Sequence, residues 1–150
     1  MDIEIWERRQ QVREDKEFEI WSFYFDSLHA FAQETGADID QPAPERSLVD
    51  PEKDVNRSIA SVLALRFQIM LTNEMDSMEL ESVSNDYWND KAPVLAEQLW
   101  IWAMAEQRMK PGGDDGEWDV FIDAAGAAYE AFLNRQSELN LEAQASNPVQ

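Results

Sequence analysis

The sequence predicts an all-α fold, a compact bundle of four main helices with one or two shorter ones, and three observations carry that prediction. Apolar residues recur at spacings of three and four along most of the chain, while strict apolar/polar alternation flanked by turn dipeptides is found nowhere. The Pro and Gly residues are few and clustered, so they divide the chain into a small number of long segments. Short breaks between long periodic segments are the pattern of a bundle.

Residues 2–14 are charged and carry Ile3, Ile5, Trp6 and Val12, with Ile5 and Val12 off the stripe that follows, so they read as a helical arm. From Asp15, Phe18, Trp21, Phe25, Leu28 and Ala32 define one helix face, widened by Tyr24 and Phe31, and Gly36 ends the helix. Pro42 and Pro44 deny a helix to residues 36–49, which read as an extended loop. Asp50-Pro51-Glu52 has the form of a helix start, with Asp50 as N-cap and Pro51 in the first helical position. The helix it would open bears Val55, Ile59, Val62, Leu63, Phe67, Met70 and Leu71, and with Leu65 and Ile69 it is apolar on most sides, which predicts a central position.

Leu80, Val83 and Tyr87 predict a shorter helix over residues 77–88. Asn89-Asp90, with Pro93 in the first turn, predicts the start of the next, which carries Leu95, Leu99, Trp102 and Met109 on one side and Val94, Trp100 and Ile101 elsewhere. Pro111-Gly112-Gly113 then breaks the chain, and Asp114 or Asp115 can cap a last long helix with Trp118, Phe121, Ala125, Ala128, Phe132 and Leu139 on its apolar face. Its run Ala124-Ala125-Gly126-Ala127-Ala128 has little side chain and admits a close neighbour. Residues 1–142 read as a single helical domain and 143–150 as a flexible C-terminal tail.

With 44% hydrophobic and 11% aromatic residues the chain is too apolar for a disordered acidic tail. It contains no cysteine, which excludes disulfides, thiolate catalysis and cysteine-based metal centres. The N-terminus Met1-Asp2-Ile3-Glu4 does not resemble a signal peptide and no long apolar run spans a membrane, so the expected location is the cytoplasm, that of the host cell if the chain is phage-encoded.

The chemistry available to catalysis is thin. His29 is the only histidine, so neither a His pair at i, i+4 nor a Glu-x-x-His di-iron motif can form, and its place beside Leu28 predicts a packing role. An EF-hand count from Asp114 puts Gly116 and Trp118 where oxygen ligands are required. Gly112-Gly113-Asp114-Asp115 is similar to the glycine-acid loops of nucleotide cyclases, but those loops join strands and this chain predicts none. Phosphate-binding loops and a nucleophile elbow are missing from the sequence. The expectation is a protein that binds rather than catalyses, with no cofactor and no metal.

Charge is the informative quantity: 31 Asp and Glu stand against 12 Lys and Arg, a formal net charge of −19. Such a chain repels nucleic acid phosphates and anionic membranes and attracts basic surfaces. The acids are also segregated. Between Arg66 and Lys91 lie Glu74, Asp76, Glu79, Glu81, Asp86 and Asp90 with no base, and between Lys110 and Arg135 lie Asp114, Asp115, Glu117, Asp119, Asp123 and Glu130, again with none. Arg8, Arg9, Arg13 and Lys16 instead crowd the N-terminal arm, where nearby acids can pair with them. Tyr87, Trp88 and Trp118 fall inside the acidic stretches. Trp21, Trp102 and Trp118 are expected in the core, and Trp88 is a candidate interface anchor.

In charge and size the chain resembles nucleic-acid-mimicking inhibitors as a class. The resemblance implies an acidic face, built from Glu74, Asp76, Glu79, Glu81, Asp86, Trp88, Asp90, Asp114, Asp115, Glu117, Asp119 and Asp123, that occupies the basic nucleic-acid-binding surface of a partner protein in the manner of phage anti-restriction or anti-CRISPR inhibitors. Two alternatives stay open: an immunity protein that neutralises a basic toxin, and a structural or assembly subunit whose copies pair as a homodimer through the small-residue face Ala124 to Ala128.

Overall fold

The computed structural model describes residues 3–77, 85–110 and 116–145. It contains four α-helices, α1 (Ile3–Thr35), α2 (Ile59–Asp76), α3 (Asn85–Arg108) and α4 (Asp119–Ala145), and a 3-10 turn at Glu45–Ser47. Contacts between α1 and α2, α2 and α3, α3 and α4, and α4 and α1 close the helices into a ring, with α3 against α4 the largest interface. Pairs such as Glu17 with Thr72, Glu74 with Lys91, Asp90 with Gln136 and Glu19 with Arg135 make each of these neighbours antiparallel. The result is an up-down-up-down bundle.

The arm and the first predicted helix are one continuous helix of 33 residues. Its buried positions are Ile20, Tyr24 and Leu28, so the face turned inward is rotated from the expected stripe, and Phe18 is 69% exposed. The rotation follows from having two neighbours. The line between α2 and α4 passes through Tyr24, which stacks on Phe67 of α2 at 4.2 Å and lies 6.3 Å from Phe132 of α4, while Trp21 and Phe25 fall to the α2 flank. Ile3, Ile5, Trp6 and Val12 of the arm are exposed. Gly36, at φ 75°, ends α1 as expected, its N–H closing on the Ala32 carbonyl at 2.9 Å.

Helix α2 begins later than Asp50. Asp50 and Asp54 do cap a turn: Asp54 Oδ2 accepts from the Asp50 N–H at 2.8 Å, and Asp50 Oδ1 accepts from the Glu52 N–H at 3.1 Å. That single turn is broken at Asn56, whose φ of 70° is left-handed and cannot continue a helix, and Ser58 becomes the N-cap, its Oγ accepting from the Ser61 N–H at 3.1 Å. Val55, in the turn, is exposed, whereas Val62, Leu63, Phe67 and Leu71 are fully buried. The 36–49 loop is pinned to the bundle by Arg66, whose guanidinium donates to the carbonyls of Ser47 and Leu48 and lies 3.9 Å from the Trp102 ring centroid.

Helix α3 starts at Asn85, upstream of the predicted Asn89-Asp90, and takes Tyr87 with it, while most of the predicted 77–88 helix lies outside the described residues. Pro93 sits buried in the helix interior, where it has no N–H to donate to the Asn89 carbonyl one turn earlier. The helix is amphipathic rather than enclosed: Leu95 and Leu99 are buried, but Val94 and Ile101 face solvent, as does Met109 just past its end. Pro111-Gly112-Gly113 and the predicted caps Asp114 and Asp115 lie outside the described residues, and α4 begins with the Ile122 N–H bonded to the Trp118 carbonyl at 2.9 Å. Helix α4 runs to Ala145, into the segment expected as a tail. Trp118, Phe121, Ala124, Ala125, Ala128 and Phe132 fill its buried face.

The small-residue run faces α3 of the same chain. A Cβ on Gly126 would lie 3.0 Å from Trp100 Nε1, and Trp100 stacks on Tyr129 with centroids 5.7 Å apart. This close approach is intramolecular, which leaves the small-residue face unavailable for pairing two copies. Gly126→Ala gains up to about 1 kcal/mol of helix propensity and loses part of it to displacement of the indole. Gly126→Val, adding a branched Cβ, should destabilise by about 1–3 kcal/mol in urea unfolding. The Tyr24 hydroxyl is buried and finds no partner among the described residues. Tyr24→Phe should therefore raise stability, by on the order of 1 kcal/mol, in the same assay.

Candidate partner-binding surface

The two base-free acidic stretches straddle the two connections flanking α3, and an antiparallel bundle sends those connections to opposite ends. Gln107, which contacts Asp119 at 3.4 Å, lies about 32 Å along α3 from Asp86 at 1.5 Å per residue. The stretches therefore do not gather at one spot.

Several of their acids are also neutralised by bases distant in sequence. Glu74 lies 3.5 Å from Lys91 and accepts the Tyr87 hydroxyl at 2.5 Å, a bond that, with some burial, pushes the phenol up to about 12. Asp76 pairs with Arg13 of α1, and Glu117 with Lys110 at 2.8 Å. Trp88 is 4% exposed in the core and is not a surface anchor. Its place at α3's first turn puts it against α1 and α4, where it lines a crevice with Ile20 and Phe132. Glu79, Glu81, Asp114 and Asp115 lie outside the described residues.

Asp86, Asp90, Asp119 and Asp123 remain, all exposed. Asp90 accepts from Gln136 at 2.9 Å and Asp119 from Gln107, so both lie where α3 meets α4. Asp123 and Glu130 flank Gly126 at helical spacing on the same seam. Glu97, outside both stretches, joins them: it accepts the Tyr129 hydroxyl, which raises that phenol's pKa. Asp86, Asp90 and Glu97 on α3, and Asp119, Asp123 and Glu130 on α4, thus repeat the same intervals of four and seven residues on antiparallel helices. Among the described residues none of the six pairs with Lys or Arg, because Lys91 turns to Glu74 on α2 and Lys110 to Glu117. Glu97 was missed because only one other acid, Glu106, shares the interval between Lys91 and Arg108; its signal is its spacing from Asp90.

The remaining sites offer little chemistry. His29 is exposed rather than packed, with its ring edge-on to Phe25 at 4.5 Å. Among the described residues no three His, Asp or Glu side chains converge as a metal site, and no helix is long and apolar enough to cross a membrane. The chain matches no protein-family model, no curated protein and no solved structure.

The bases sit at the helix joints instead. Partial burial alone would push the Glu19 carboxyl up, but Lys16 at 3.0 Å and Arg135 at 2.7 Å outweigh it and hold Glu19 below the ordinary value of 4.5. A carboxyl whose folded-state pKa is lowered adds stability above its unfolded value and loses it as pH falls through the folded one. Glu19→Gln should cost roughly 0.5 kcal/mol at pH 7, the size of a screened surface pair. The difference from wild type should close in unfolding measurements taken progressively below pH 4.5.

Proposed function

We propose that the chain is an acidic helical inhibitor that binds the basic nucleic-acid-binding surface of a partner protein, of the anti-restriction or anti-CRISPR kind. The observation that supports this reading is the α3–α4 seam, where six carboxylates, none paired with a base among the described residues, lie on two tightly packed helices. Rigid presentation favours affinity, since little ordering entropy is lost on binding. Lys and Arg that hold phosphates can hold these carboxylates by the same charge-assisted hydrogen bonds.

Magnitude limits the likeness to nucleic acid. Six charges over about 32 Å is roughly one per 5 Å, against one per ~1.7 Å for duplex DNA. The seam engages selected cations of a basic groove rather than reproducing a duplex. The stacked pair Trp100 and Tyr129 at mid-seam favours a second reading, an immunity protein on a basic toxin, because half-buried aromatics within an anionic rim suit a protein interface.

Titration into restriction endonucleases and CRISPR effector complexes, with and without competing duplex DNA at 50 and 200 mM salt, tests the proposal. Binding should be competed by DNA and weakened by salt. The variant carrying Asp86→Asn, Asp90→Asn, Asp123→Asn and Glu130→Gln should bind at least tenfold more weakly, a loss of about 1.4 kcal/mol. A complex weakened by salt but untouched by DNA would favour the toxin reading, and one indifferent to both would overturn the acidic-seam mechanism.

A further inference from the structure

The face opposite the seam, where α1 meets α2, carries a different surface. Rotation of α1 leaves Phe18, Trp21, Phe25 and His29 as a ridge along the α2 flank, with Trp21 and Phe25 stacked at 5.3 Å and Phe18 69% exposed. Trp21 is fixed by its Nε1, which donates to the Ala64 carbonyl at 3.0 Å. Across from the ridge, α2 presents the short side chains of Ser61 and Ala64 with Leu65, leaving a groove of about 430 Å3. From Phe18 to His29 the ridge is about 16 Å long, the length of three helical turns.

The groove's rim is acidic. Glu14 is exposed one turn beyond Phe18 on the line of the ridge, and Asp40 closes the other end. Arg57, the cation lining the groove, is held by Asp54 at 3.0 Å, and Lys16 points to Glu19 on the other flank. An aromatic floor within an anionic rim selects its occupant. Nucleic acid and a second copy of this chain, itself at −19, would bring negative charge against the rim. A helix with an apolar stripe between flanking Lys and Arg satisfies both parts.

We propose that the α1–α2 groove docks an amphipathic basic helix of a protein partner. Its aliphatic side chains seat on the Trp21–Phe25 ledge and its cations reach Glu14 and Asp40. The site lies across the bundle from the acidic seam and does not depend on it.

The probe is a synthetic 14-residue helix with leucines along one stripe and arginines on both sides, compared with a scrambled peptide of the same composition. Both are titrated into the full chain at 150 mM salt, read by tryptophan fluorescence and calorimetry. The amphipathic peptide should bind at least tenfold tighter than the scrambled one. Phe18→Ala with Phe25→Ala should remove that advantage, Glu14→Gln with Asp40→Asn should weaken binding several-fold, and the fourfold seam variant should change it less than twofold. Circular dichroism confirms that each variant keeps its helix content. Equal binding of the two peptides, wild-type affinity in a folded aromatic variant, or loss of binding in the seam variant would each overturn the proposal. So would sedimentation of the chain alone as a dimer that Phe18→Ala dissociates, which would assign the groove to a second copy.

Discussion

Tyr24, Phe67 and Phe132 meet at the centre of the bundle, Tyr24 and Phe67 face to face at 4.2 Å and Phe132 5.7 Å from Phe67. One ring comes from each of α1, α2 and α4, so this cluster is where the first, second and last helices become one body. A net charge of −19 pushes the same helices apart. The opposing term is burial, about 2–3 kcal/mol for each fully enclosed large side chain, and the cluster continues through Leu63, Leu71, Trp118 and Phe121. That continuous apolar core lets the outside carry so many carboxylates.

Five of the twelve Lys and Arg have structural duties that follow from the same constraint. Arg13 ties α1 to α2 through Asp76, Lys91 ties α3 to α2 through Glu74, Arg135 ties α4 to α1 through Glu19, and Arg46 fastens the loop to α3 through Glu106 at 2.8 Å. Arg66 holds the loop by its carbonyls, and partial burial lowers its pKa against the opposing charge of Glu106. Bases placed at joints cannot also screen the open faces. The acidic seam and the acidic rim of the aromatic groove are therefore two outcomes of one distribution of charge.

The helical class was legible because each long segment repeats its apolar residues at helical spacing, and α4 was read almost residue by residue since its buried face is a single stripe from Trp118 to Phe132. The α2 start was misread because Asp50-Pro51 does begin a helical turn, and only the left-handed Asn56, invisible to composition, ends it. Pro93 misled in the opposite direction, marking a start where the helix was already two turns old. On α1, Phe18 and Ile20 are both apolar, and choosing between them requires knowing that two neighbouring helices compete for the face. The acidic candidates failed as a single cluster for a related reason. Local spacing cannot anticipate that Arg13 reaches Asp76 from 63 residues away, nor that both bundle ends share the runs.

The ring of helices also has an order in time. Neighbours in sequence are neighbours in space for three of the four interfaces, so the bundle has low contact order and can assemble quickly from local pieces. The fourth, α1 against α4, joins the beginning of the chain to its end. Without Phe132 in place the Tyr24 and Phe67 rings would be open on one side, and the chain's dense negative charge opposes contact between copies in any such state.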